Sequence, residues 1–150
     1  SYNGEKFSHA SAIKRCLDYP NVSVISFGIR NISKNEILFL NKNSSKIHTF
    51  WAKDKNKWNL NKFKKLIKNK TVYLTFDVDG LDSSIMPATG TPEPGGLLWD
   101  ETLNIIKIAA KNSNIVGADI NELSPIKGFN SYNFLVAKLA YKILSYKFLY

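Results

Sequence analysis

Residues Val72 to Gly96 read VYLTFDVDGLDSSIMPATGTPEPGG. The run opens with Val72, Tyr73, Leu74, Thr75 and Phe76, an apolar, β-branched and aromatic set of the kind that fills a strand buried on both faces. It then reaches two carboxylates, Asp77 and Asp79. Residues i and i+2 of a strand share a face. The spacing therefore predicts both carboxylates pointing one way at the C-terminal end of a sheet strand, where open α/β sheets place ligands. Two like charges side by side at a buried edge are unfavourable unless a cation sits between them. The expectation is a divalent metal held by Asp77 and Asp79.

Hard oxygen donors at this spacing suit Mg²⁺ or Mn²⁺, although a lone DxD also occurs in many exposed loops. An EF-hand loop is excluded, because its sixth and twelfth positions would be Asp82 and Ala88 rather than Gly and Glu. A DxD phosphohydrolase stays open as an alternative, with Asp77 as nucleophile and Asp79 as acid. Against it, phosphatases of the haloacid-dehalogenase type usually continue with Thr or Val where this chain has Gly80 and Leu81, and carry the motif near the chain start.

The same stretch closes on Pro87 to Gly96, where three glycines and three prolines specify a tight, irregular backbone. No Lys-Ser/Thr follows Gly96, so it is not a P-loop. It reads either as a turn into the next helix or as a rigid wall of a site.

Outward from this centre, helical and strand patterns alternate. Ser8 to Leu17 fits a short helix with Ile13 and Leu17 on one face, and Asp18 to Asn21 a turn. Val22 to Ile29 fits a strand that ends in a kink at Gly28. Ser33 followed by Glu36 is a capping-box pattern opening a helix to Leu40, and Lys46 to Trp51 is a short strand. Trp58 to Ile67 is an amphipathic helix whose lysines form a solvated face. Beyond the central stretch come a helix over Leu97 to Lys111, a strand over Asn114 to Ile120, and a helix over Asn130 to Phe148 that stacks Phe134, Leu135, Val136, Leu139, Ile143 and Leu144. Alternation of this kind predicts an α/β layer stack on a parallel sheet of about four strands. Glu122, just past the Asn114 strand, would then share a sheet edge with Asp77 and Asp79, where a carboxylate can grip a guanidinium bidentately.

The chain has 150 residues, the size of one domain with a sizeable core. A single cysteine, Cys16, precludes an internal disulfide and points to a reducing compartment. No apolar run approaches the ~18 residues of a membrane span. SYNGEKFSHA lacks the basic start and apolar core of a signal peptide, and it has no initiator Met, so a processed or excised piece is expected. The net charge of +9 comes from lysine, with only Arg15 and Arg30 as arginines. That balance describes solvated surface and argues against a nucleic-acid partner, which arginine and interleaved aromatics would serve. A non-catalytic remnant binding through its lysine surface is the other alternative. His9 could shuttle protons near neutral pH or simply lie on the surface, whereas His48, inside a strand pattern, reads as structural.

Together, DVDGLDSSIMPATGTPEPGGL, the downstream ADINELSP and the upstream GEKFSHAS with FGIR resemble the ureohydrolases, the family of arginase, agmatinase and formiminoglutamase. The GEKFSH start looks most like the agmatinase branch. The resemblance implies the three-layer α/β/α parallel sheet of the arginase type, present here as its C-terminal half. It implies hydrolysis of a guanidino compound over two Mn²⁺ ions, agmatine to putrescine and urea being the best match. A cytoplasmic place in polyamine biosynthesis and a homo-oligomer, trimer or hexamer, would follow. Asp77 and Asp79 match metal ligands, Glu122 the carboxylate that holds the guanidinium, His9 a proton shuttle lining the substrate site, and Thr91 a supporting threonine. The family's remaining ligands, an earlier histidine and an Asp-Ala-His-x-Asp cluster, have no counterpart in these 150 residues. Ala10 stands where the family usually has Gly, and Ser83 where it usually has Pro.

Overall fold

The computed structural model describes residues 4–150. They form two compact units, one ending at Trp51 and one running from Ala52 to Tyr150.

In the first unit, the segment read as one helix divides. His9–Ser11 is a 3₁₀ turn and α1 covers only Ala12–Cys16. Ser8 is extended before the turn but makes no capping bond, and Ile13 is 46% exposed, so this segment has little apolar face to hold it. β1 (Val24–Ile29) pairs in parallel with β2 (Ile47–Trp51). Phe27 stands opposite Phe50, and their rings stack with centroids 4.3 Å apart, a cross-strand pair of the kind that pins register. At Gly28 φ is +76° and the register slips between Phe27 and Ile29, which is the expected kink. Between the strands lies α2 (Lys34–Lys42), whose cap is the full reciprocal box. Ser33 Oγ accepts from the Glu36 N–H at 3.2 Å, and Glu36 accepts from the Ser33 N–H at 2.9 Å.

In the second unit, α3 (Leu60–Ile67) is capped by Asn59 and buries Phe63 and Ile67. β3 (Thr71–Asp77) and β4 (Asn114–Asn121) are parallel neighbours, with Thr75 opposite Asp119 and Asp77 opposite Asn121. α4 (Trp99–Asn112) and α5 (Asn130–Leu149) cover one face of this pair. There Ile106, Leu139 and Ile143 are buried, with Leu74, Phe76, Trp99, Ile120 and Tyr146 packed against them. Each such side chain contributes roughly 1.5–3 kcal/mol when fully withdrawn from water, so this seam holds the strand ends in place.

The structure departs from the sequence reading in three ways. β3 is not covered on both faces, because exposure alternates along it and Tyr73, Thr75 and Asp77 lie open on one side. The four strands form two separate two-stranded sheets rather than one ladder. α5 is apolar nearly all round, and only one side of it meets the core. Leu139 and Ile143 are buried while Phe134 is 70% and Leu144 56% exposed.

Candidate functional site

The strand β3 stops at Asp77, and Val78–Gly80 is a 3₁₀ turn rather than further strand. Asp79 is therefore aimed by the turn, not by the pleat. Asp77 caps that turn, its Oδ1 accepting the Asp79 N–H at 3.2 Å. Glu122 follows the last residue of β4 in a left-handed backbone, φ +66°, a conformation a residue with a Cβ adopts only under constraint.

The charges of Asp79 and Glu122 both reach Asp77. Its carboxyl is raised to about 6, first by burial, then by the Asp79 charge, with Glu122 adding in the same direction. Part of the residue stays accessible to solvent, so the burial contribution is that of a rim rather than of a core. Of the carboxylates singled out from the sequence, Asp79 and Glu122 thus each act on Asp77. It places His9 in the 3₁₀ turn of the first unit, exposed, and Thr91 exposed within the loop that follows β3.

That loop, Ser83 to Gly96, is closed at its stem. The Asp82 N–H donates to the Leu97 carbonyl and the Leu97 N–H to the Gly80 carbonyl, both at 2.9 Å. The Asp82 carboxylate accepts from the Ser84 N–H at 2.9 Å, the Ser84 hydroxyl, the Gly95 N–H at 2.6 Å and the Gly96 N–H at 3.1 Å. These donors, the Ser84 pair foremost, hold it down at about 2. Lys55 Nζ closes the far side, bonding the Gly96 carbonyl at 2.8 Å and Glu101 at 3.0 Å. Leu81 before the loop and Met86 and Ala88 inside it are buried, and Thr89 is buried with its hydroxyl unpartnered.

Two groups of residues escaped the sequence reading. Asp82 was visible only as part of Asp-Ser-Ser, an Asx-turn pattern. On the open face of the sheet, Asp119 accepts from Thr75 and Asn121, and it raises the phenol of Tyr73 beside it. Strand register alone predicts that cluster once β3 and β4 are paired.

The chemistry of the rim suits a hard cation, since a positive charge between Asp77 and Asp79 would relieve the repulsion that raises Asp77. The fit is partial. Among the described residues no group of three or more His, Cys, Asp and Glu could close a metal site.

The family model for the arginase family matches residues 1–145, and the chain belongs to that family. It is 35% identical over 148 residues to the N(1)-aminopropylagmatine ureohydrolase of Synechocystis sp., covering 97% of this chain and 47% of that protein. It is 34% identical over 146 residues to the agmatinase of Pyrococcus horikoshii, covering 96% and 50%. Among solved structures, the agmatine ureohydrolase of Thermoplasma volcanium superposes with a TM-score of 0.80 at 32% identity, covering 98% of this chain and 50% of that one. Arginase from Medicago truncatula gives 0.77 at 27% identity, covering 97% and 46%. The chain spans about half the length of these relatives and aligns with their C-terminal half. Its fold is the α/β/α arginase type, incomplete. Among the described residues no helix is long and apolar enough to cross a membrane.

Proposed function

We propose that residues 1–150 are the C-terminal part of a manganese-dependent ureohydrolase domain that hydrolyses agmatine, or a related guanidino compound, to an amine and urea. The observation that carries this reading is that the charges of Asp79 and Glu122 both act on Asp77, where two adjacent parallel strands end, in a chain of the arginase family.

In this reading Asp77 and Asp79 supply part of the metal donor set, and other parts of the whole protein supply the rest. Two manganese ions, when bound, supply a water acidified enough to attack near neutral pH. Glu122 holds the planar guanidinium through paired N–H···O bonds, which matters because a delocalised guanidinium is a poor electrophile and orientation must lower much of the barrier. His9 moves a proton toward the departing amine, and Thr91 supports the substrate. The whole protein acts in the cytoplasm as a homo-oligomer, a trimer or hexamer. Family membership favours this reading over a phosphohydrolase with Asp77 as nucleophile.

Urea release from agmatine with added Mn²⁺ tests the reading. The 150-residue chain alone should show weak metal binding and no turnover, and the product of the whole gene should release urea. Robust turnover by the chain alone would refute the half-site reading, and an inactive whole-gene product would refute the activity.

A further inference from the structure

We infer that Asp82 is a positioning residue for Glu122, acting through the Ser83–Gly96 loop; its relevance to a guanidino substrate rests on the function proposed above. The carboxylate gathers donors from both ends of the loop, Ser84 at the start and Gly95 and Gly96 at the finish. The closure is tight. A Cβ on Gly96 would lie 2.5 Å from the Leu81 carbonyl carbon and oxygen, and Gly95 takes φ +80°. Between these ends the loop is anchored by Met86 and Ala88, each 0% exposed, and the Ala88 carbonyl accepts the Ser124 N–H at 2.9 Å. Ser124 is two residues past Glu122. The Asp82 carboxylate therefore sets the loop, the loop sets the Ala88 carbonyl, and that carbonyl pins the turn in which Glu122 holds its left-handed backbone. Strain at one residue persists only where its surroundings over-determine it, and this bond crosses from the loop to that turn.

The test is amide hydrogen exchange and backbone NMR on the 150-residue chain, comparing wild type with Asp82→Asn and Ser84→Ala. Asp82→Asn keeps the size but turns an NH₂ toward donors. It should raise exchange of Gly95, Gly96 and Ser124 at least tenfold and shift the Glu122 HN–Hα coupling, with the β3 and β4 amides unchanged. Ser84→Ala removes only the hydroxyl donor and should give the same pattern at smaller amplitude with the fold intact. Agmatine added to the wild type should shift the Glu122 resonance, and Asp82→Asn should weaken that response at least fivefold. Loss of protection at Gly95 and Gly96 with Ser124 unmoved would overturn the inference. So would equal loss across all amides in both variants, the mark of a residue that only stabilises the fold. If the wild type gives no agmatine response while Ser124 loosens as stated, the positioning role stands and the substrate reading fails.

Discussion

The Thr75 hydroxyl donates to the Asp119 carboxylate at 2.7 Å, tying β3 to β4 one same-face pair before Asp77 and Asn121. Tyr73 lies on the same face, and its interaction with the same carboxylate is the first cause of a phenol raised above its ordinary value of 10.0. In Asp119→Asn the phenol should titrate at lower pH than in the wild type, read from absorbance at 295 nm. Thr75→Val keeps the branched side chain but loses the donor, and should cost about 1 kcal/mol in urea unfolding. An unmoved phenol would show that the carboxylate is not its partner.

Asp77 makes the chain less stable toward neutral pH. A carboxyl raised from 3.8 to about 6 binds its proton more tightly folded than unfolded, so stability falls as pH rises from about 4 through about 6 and stays low above it. Asp77→Asn should flatten that decline and leave the variant more stable than wild type at pH 7.5. Asp82 has the opposite sign. Lowered to about 2, it stabilises above its unfolded value and loses that contribution only as pH falls through about 2. Urea midpoints measured from pH 1.5 to 8 separate the two.

Thr89 is buried with a hydroxyl that meets no partner. An unsatisfied buried hydroxyl costs about 1–3 kcal/mol, and an apolar group of the same shape removes that cost. Thr89→Val should raise the unfolding free energy of this chain by about 1 kcal/mol. A loss of comparable size would mean that the hydroxyl finds a partner in solution.

Gly96→Ala should be among the most damaging single-methyl additions in the chain, since the new carbon meets Leu81 backbone rather than a mobile side chain. Overpacking of this kind costs about 1–3 kcal/mol. Gly80→Ala, where a Cβ meets nothing within 4 Å, is the control and should stay much closer to wild type. Thermal midpoints of the two variants decide it.

What the sequence made legible was local or periodic. The Ser33–Glu36 box, the α3 face of Phe63 and Ile67, and the parallel pairing that brings Glu122 beside Asp77 follow from spacing alone. What escaped depends on closure over distance. Asp82 meets Gly95 and Gly96 thirteen and fourteen residues on, and no periodicity announces such a pairing. Asp79 was read as part of the strand pleat, whereas a turn capped by Asp77 carries it. The reading of β3 as doubly covered failed because β-branched and aromatic residues serve an open sheet face as well as a buried one. Phe134 and Leu144 misled in the same way, since an apolar stripe shows what could be covered, not what is.

Each strand of the described residues has a strand neighbour on one side only. The opposite flank of each presents a row of peptide groups, a template for cross-β growth or for exchange of segments between molecules. Concentration and time should therefore govern how this polypeptide behaves in storage. A charged residue introduced on such a flank would act as a gatekeeper, extending its shelf life without altering how it folds.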